Sequence, residues 1–518
     1  MIRETMLQRL RTEGPFDLAV VGGGATGLGI AVDAASRGCS VAVLEQDDFG
    51  KGTSSRSTKL VHGGVRYLQQ GNVPLVMEAL KERGILRQNA PHLVHDLRFV
   101  VPNYAWWEAP FYGIGMRVYD ALAGRYGFGD SANLSRAETL ERIPTIEVDG
   151  LRGGVVYHDG QFDDARLLIH LAFTAAAHGA VLLNHAEVVG LERGTDGFLE
   201  GIRAHDRETG AELEVRARAV INATGAFSDA VRRLDEPDVQ PMIQPSQGVH
   251  LVLPKEFLPG DSAIMVPHTD DGRVLFAIPW HHVVLVGTTD TPVAEVCLEP
   301  RPRQDEIEFL LAHTARYLER DPTRADVLSV FAGLRPLVGL VADGDTAKVS
   351  REHTLHVSNS GLLTIAGGKW TTYRKMAEDA VDHALTLAGV EAGPCVTREL
   401  RIHGCDPDAT RHGSLAIYGS DAPAVRVVCH ERSGLDAPVH PALPLLRGEV
   451  VWAARHEMAR TVDDALARRS RALIFDARAA MEAAPAVAEL LAQELGREDG
   501  WIDEQVAAFE DIAAAYLP

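Results

Sequence analysis

The chain is predicted to join an α/β portion to an α+β portion and to end in a helical part. Three observations carry this reading. Strand, glycine turn, helix and strand follow one another over residues 16–47. Strand–turn–helix text returns near 153–230 and at 361–385, with strand-like text from Gln244 to Thr291 between them. Beyond about Ala392 the text is mostly helical, with Ala/Arg/Glu-rich runs at 447–494.

Each element follows from its residues. Leu18-Ala-Val-Val21 reads as a short buried strand, Ala25 to Arg37 has helical spacing, and Gly38 is placed to end that helix. Ser40 to Leu44 is a second strand that ends in Glu45. Asp164 to His178 reads as a helix stopped by Gly179 and flanked by strands, and RARAVINATGAFSDAV as strand, Ala-Thr-Gly turn and helix. The runs VHLVLP, RVLFAIPW and VVLVGTTD point to a unit built on an antiparallel sheet. There is no internal repeat and no low-complexity tract.

At 518 residues the chain is long enough for two to four domains of roughly 150 residues. A composition 46% hydrophobic and 24% charged excludes disorder and a multi-span membrane protein. A formal net charge of -21 argues against bulk binding to a phosphodiester backbone. The five cysteines, Cys39, Cys297, Cys395, Cys405 and Cys429, form no C-x-x-C pair, so neither a disulfide framework nor a metal site is expected. The N-terminal residues carry scattered charges and no apolar signal region, so the chain is expected in the cytoplasm.

Gly22-x-Gly24-x-x-Gly27 follows a strand and opens a helix. Gly22 suits the tight turn, Gly24 lets backbone approach a pyrophosphate at the helix N-terminus, and Gly27 lets helix and strand pack closely. Glu45, at the end of the next strand, can accept both ribose hydroxyls. This is a Rossmann-like dinucleotide unit. Asn222-Ala-Thr224-Gly225 and Ala366-Gly367-Gly368-Lys369 each follow a further strand, so three separated segments supply the site, which fits FAD in an extended pose. No second G-x-G-x-x-G occurs, so a separate nicotinamide domain is not expected. Just after Glu45, residues 49–71 place Thr53, Ser54, Ser57 and Lys59 near the cofactor, followed by His62, Arg66 and Tyr67 around Gly63-Gly64.

At this point the sequence resembles the FAD-dependent, respiratory glycerol-3-phosphate dehydrogenases. The resemblance rests on TSSRSTKLVHGGVRYL (53–68), DDARL (163–167), NATG (222–225), GTTD (287–290), GLRPL (333–337), GGKWTTYRKMAE (367–378) and RHEMARTVDDALARRSRALIFDA (455–477). It runs from about Asp17 to Ala477. It implies an FAD-binding domain of glutathione-reductase type, a β-sheet substrate domain and a helical C-terminal domain. The expected ranges are 14–75, 150–235 and 330–390 for the first, 76–149 and 236–329 for the second, and 391–518 for the third. It also implies oxidation of sn-glycerol 3-phosphate to dihydroxyacetone phosphate and a quinone acceptor at the membrane face. A dehydrogenase or oxidase for another polyol phosphate, such as a tetritol phosphate, is the alternative. A non-catalytic flavoprotein is disfavoured by the cationic set below.

Oxidising a secondary alcohol needs a base for the hydroxyl proton and cations for the alkoxide and phosphate. Within the motifs, Arg66 and Lys369 are the expected phosphate ligands, with Tyr67 and Thr372 as donors. Arg335 is the expected clamp on the substrate oxygen, and His250 and His62 compete for the base role, with His250 preferred. The aromatic stretch 105–124 either dips into a membrane interface or forms a buried helix. The body's negative charge provides no attraction to anionic lipid, so any contact on the inner face of the plasma membrane is peripheral. The run 455–473 is expected as a packed amphipathic helix with a solvated face. A homodimer is left open.

Overall fold

The structure is a computed structural model that describes residues 1–69, 71–267, 269–270, 272–339 and 352–518, and only the backbone of Arg66 and Gln69. Two large sheets organise the described residues. The first is eight-stranded, with the central order His353–Val357, Leu363–Gly367, Glu212–Asn222, Phe16–Val21, Val41–Leu44, Val181–Leu183. From Leu363–Gly367 to Val181–Leu183 its pairs are parallel. Phe16–Val21 and Val41–Leu44 are almost wholly buried, as an apolar strand with helices over it should be. Helix Ala25–Ser36, rich in Ala and Gly, packs against both Asp164–Ala177 and Tyr373–Ala388, and its small side chains allow both approaches. Glu212–Asn222 serves two partners. Its alternating first half pairs with the antiparallel strand Leu199–Asp206, and its buried second half enters the parallel core.

The second sheet has ten strands and is antiparallel except where Ser262–Val266 meets Val94–Asn103. Its long strands are Ile243–Pro254, Gly153–Phe162, Val94–Asn103 and Ser329–Val338. One face packs on helix Gln304–Ala315 through Ile307 and Leu310. Phe99, Tyr157, Trp280 and Phe331 share a core with the C-terminal helices Arg447–His456, Ala477–Leu495 and Asp499–Ala514. Two strands inside the ranges expected for the cofactor unit, Leu60–Val61 and Gly153–Phe162, and all but the first residue of a third, Ser329–Val338, hydrogen-bond into this second sheet instead. Each lies at a crossing between the two sheets, where local sequence does not say which partner a strand will take.

The expected amphipathic helix over 455–473 is not formed. The helix ends at His456, a wide-turn segment spans Asp464–Arg469, and a short helix follows at Ala472–Phe475. Its charges are not solvated: Asp463, Asp464, Arg468, Arg469 and Arg471 are buried. They pair with charges from the cofactor side of the molecule. Asp48 accepts from Arg468 at 2.5 Å and from Arg469 at 2.5 and 2.8 Å, and Lys51 donates to Asp463 at 2.6 Å. Periodicity cannot tell a solvated charge from one whose partner lies 400 residues away. Asp48→Ala leaves Arg469 buried without its close carboxylate, so a loss of about 3–5 kcal/mol is expected. An unchanged thermal unfolding midpoint would exclude that role.

The aromatic stretch resolves into helix Glu108–Ala123 with two faces. Tyr112, Met116 and Tyr119 point into the core, whereas Trp106 (77%), Phe111 (54%) and Ile114 (66%) are exposed. Among the described residues no helix is long and apolar enough to cross a membrane.

Candidate active site

A cavity of 510 Å³ opens where the ends of Phe16–Val21 and Glu212–Asn222 meet the start of helix Ala25–Ser36. Gly22 turns at φ +106, and a Cβ there would lie 2.9 Å from the Ala223 carbonyl oxygen. Gly27 does not line the cavity; a Cβ on it would collide with the Gly22 carbonyl, so it serves the close packing of helix on strand. No side chain caps the helix, although the Ala25 amide donates to Ser54 Oγ at 3.0 Å. That leaves a helix N-terminus available to a pyrophosphate. Gly24, Glu45, Thr53 and Ser54 line this half of the cavity, and Thr224, Gly225, Gly367 and Gly368 the other.

Both carboxylate oxygens of Glu45 are engaged, accepting from the Gly23 amide at 2.6 Å and the Asp47 amide at 3.0 Å. Burial nevertheless pushes its pKa up to about 7. Ribose hydroxyls donating to it would favour the charged form.

A second pocket of 230 Å³ continues from the first and shares Thr53, Pro336, Gly367, Gly368, Lys369 and Trp370 with it. The two together suit an extended dinucleotide whose ring end reaches the second sheet. His62, Ser57, Thr58, His250, Arg335 and Thr371 also line this pocket. A third pocket of 150 Å³ shares Leu60, His62 and Arg335 with the second and adds Tyr67, Arg273 and Asp290.

The polar groups of these pockets are held firmly. His250 lies on strand Ile243–Pro254 and stacks on Phe331 at 4.7 Å. Its Nε2 is 2.9 Å from Thr58 Oγ1, while its buried Nδ1 has no hydrogen-bond partner among the described residues. Burial, then the Lys59 and Arg335 charges, hold its pKa well below the usual imidazole range, so the ring is neutral at pH 7. Burial likewise lowers His62 to about 4. Arg335 donates to Asp290 and Thr288 Oγ1 at 3.2 Å and to the Thr289 carbonyl at 3.0 Å. Lys369 Nζ lies 3.9 Å from the centroid of the Tyr67 ring. Residues distant in sequence therefore meet around one site: His62 and Tyr67 from one motif, Arg335 and Lys369 from two others, and His250 from the strand run VHLVLP.

Two expected residues face elsewhere. Lys59, at φ +62, is wholly buried and donates to the Ser55 carbonyl and to Asp164, each at 2.7 Å, so it braces the 53–59 loop from behind. Thr372 Oγ1 donates to the Lys369 carbonyl at 3.2 Å and lines none of the three pockets. Its neighbour Thr371 lines the second pocket and accepts from the His62 amide at 3.1 Å. One step along a tight turn changes the direction of a side chain, which composition does not reveal. The side chain of Arg66 lies outside the described residues. Thr58 was read from the sequence only as one of several hydroxyls following Glu45, and Thr371, Arg273 and Asp290 were not singled out. Thr371 and Asp290 lie within quoted motifs, which was the available signal.

The family described as FAD dependent oxidoreductase matches residues 17–374, and that of the C-terminal domain of alpha-glycerophosphate oxidase matches residues 361–504. The mitochondrial glycerol-3-phosphate dehydrogenase of Homo sapiens is 41% identical, over 97% of this chain and 74% of its own length. That of Arabidopsis thaliana is 41% identical, over 95% of this chain and 85% of its own length. The glycerol-3-phosphate dehydrogenase from Bacillus halodurans, solved in complex with FAD, aligns with TM-score 0.82 and 30% identity, over 100% of this chain and 98% of that one. With these likenesses spanning both sheets and the C-terminal helices, the chain belongs to the FAD dependent oxidoreductase family, among the glycerol-3-phosphate dehydrogenases.

Proposed function

We propose that the chain uses FAD to oxidise sn-glycerol 3-phosphate to dihydroxyacetone phosphate and passes the electrons to a quinone. The observation that carries this reading is the meeting of Arg335, the Lys369–Tyr67 pair and a neutral His250 beside a dinucleotide cavity. FAD, when bound, supplies the acceptor for the hydride that leaves the carbinol carbon. Gly22, Gly24 and the helix N-terminus would hold its pyrophosphate, Glu45 its ribose, and the Gly367-Gly368 turn its ring end.

The side chains perform the rest. His250, whose ring lines the second pocket and is held at Nε2 by Thr58 Oγ1, takes the hydroxyl proton. Arg335 stabilises the oxygen as negative charge grows on it. Lys369 and Tyr67 hold the phosphate dianion. Burial first, then the Lys59 and Arg335 charges, keep His250 neutral; the dianion offsets the second of these and so strengthens the base.

The third pocket supports a three-carbon substrate. Phe99, Tyr157, Met265 and Phe276 form one wall of its 150 Å³, and the Tyr157 hydroxyl already donates to Met265 Sδ at 3.0 Å. That wall offers a fourth carbon's hydroxyl little to bond. Anaerobic glycerol 3-phosphate is expected to bleach the yellow protein within the dead time of hand mixing, and erythritol and ribitol phosphates far more slowly. A retained flavin absorbance would overturn the assignment. Reoxidation by a quinone analogue and by oxygen, compared directly, tests the acceptor; faster reoxidation by oxygen would favour an oxidase.

The exposed face of helix Glu108–Ala123 supports peripheral membrane contact. Its apolar character, on a body of net charge -21, makes that contact stronger on zwitterionic than on anionic lipid. The double substitution Phe111→Glu and Ile114→Glu is expected to abolish co-sedimentation with zwitterionic vesicles while glycerol 3-phosphate still bleaches the flavin. Undiminished co-sedimentation would assign the contact elsewhere.

A further inference from the structure

We propose that Arg471, from the C-terminal helical unit, is a positioning residue for the oxidation: through Ser55 and Asp164 it holds the 53–59 loop in the place that sets Thr58 against His250. The inference rests on the reading of His250 as the base.

The loop is a junction in which nearly every residue is tied to a different element. Thr53 Oγ1 donates to the Leu334 carbonyl at 2.5 Å, next to Arg335. The Ser54 carbonyl accepts from Trp370 Nε1 at 2.8 Å, beside Lys369. Ser57 donates to Asp164 Oδ2 through its amide at 3.1 Å and its hydroxyl at 2.6 Å. Thr58 reaches His250 at 2.9 Å. The loop thus touches the cofactor helix, the clamp strand and the base at once.

Arg471 is the C-terminal unit's hold on this junction. One of its nitrogens donates to the Ser55 carbonyl at 2.9 Å and to Asp164 Oδ1 at 3.0 Å. The other donates to the Ala467 carbonyl at 3.0 Å, which ties the guanidinium to its own segment. The residue is buried at φ +67, a conformation that non-glycine residues adopt rarely, so the backbone turns specifically to present this side chain. Asp164, the first residue of helix Asp164–Ala177, is wholly buried and receives Lys59 and Ser57 on one oxygen and Arg471 on the other. Lys59 donates to the same Ser55 carbonyl and to Asp164 Oδ2, but from within the loop itself, so it is Arg471 that ties the junction to the C-terminal unit. A guanidinium keeps its charge there.

The test uses the full-length, FAD-loaded protein. Arg471→Gln is expected to lower kcat about 10-fold with KM for glycerol 3-phosphate within about twofold, as a small misplacement of a reacting group would. Thr58→Val should lower kcat to a similar extent, and the double variant should fall no more than about twofold below Thr58→Val alone, because both act through one contact. Arg471→Lys should recover only part of the loss, because an ammonium cannot serve Ser55, Asp164 and Ala467 with the fixed fork of a guanidinium. Amide exchange in the peptide covering 53–59 should quicken in Arg471→Gln while that covering 16–36 does not change. Wild-type kcat in Arg471→Gln, or losses that multiply in the double variant, would overturn the proposal. Should Arg471→Gln fail to fold, Ser57→Ala cuts the same path at Asp164; the same kcat loss and the same non-multiplication with Thr58→Val are expected, and wild-type kcat would overturn it. Full turnover in His250→Asn would remove the base assignment and this proposal together, whereas loss of turnover there with an indifferent Arg471 overturns this proposal alone.

Discussion

Arg335→Ala is expected to reduce kcat/KM for glycerol 3-phosphate by about 10²–10³-fold while the protein stays yellow, the size of effect found when one preorganised donor to a developing oxyanion is removed. The residue lines both the second and third pockets, where ring end and substrate meet. It is preorganised by Asp290, Thr288 and the Thr289 carbonyl, so it loses little freedom when substrate arrives. Its strand, Ser329–Val338, is paired along its length with the strand carrying His250, which fixes clamp and base relative to one another. The cofactor cavity is built mainly from other segments, so FAD content measured by absorbance should not fall. Arg335→Lys should recover only part of the loss, because an ammonium cannot reproduce the planar fork that Asp290 and the threonines hold. Wild-type turnover in Arg335→Ala would place this arginine outside the chemistry.

His250→Asn should lower the rate of anaerobic flavin bleaching about 10²–10⁴-fold, the usual contribution of a positioned base. The pH dependence gives a second, independent reading. Burial and the Lys59 and Arg335 charges depress the His250 pKa, so the neutral, proton-accepting form is kept as pH falls through the ordinary imidazole range and is lost only below it. The bleaching rate in the wild type should therefore be level from pH 8 to 6.5 and decline at more acid values; in His250→Asn that decline should vanish. His62→Asn discriminates between the two histidines. With its pKa near 4 it too is neutral, but a loss smaller than that of His250→Asn is expected from a residue that shapes the pocket without taking the proton. A larger loss in His62→Asn would exchange the two roles.

Features set by neighbours close in sequence were legible before any coordinates. Gly22, Gly24, Gly27 and Glu45 act within one strand–turn–helix–strand unit, where turn geometry, helix start and strand end all follow from adjacent residues. Arg335 and Lys369 could be named because they sit inside motifs, and His250 because it lies on a strand of the expected substrate unit, yet nothing in their spacing told that they converge. The failures are of one kind. Lys59 belongs to the same motif as Ser54 but turns to Asp164, more than a hundred residues on. Thr371 faces the site and Thr372 does not. Asp463, Arg468 and Arg471 read as a solvated helix face and are buried ion pairs.

The sequence alone determined the strands, turn and helix of the cofactor unit and the identity of the charged residues available for chemistry, because backbone propensity and capping act over a few residues. Only the tertiary structure decided which charge meets which, which of two adjacent threonines enters the pocket, and which sheet claims Gly153–Phe162 and Ser329–Val338. Those choices depend on desolvation being repaid by partners brought from hundreds of residues away, and that balance exists only once the chain has folded.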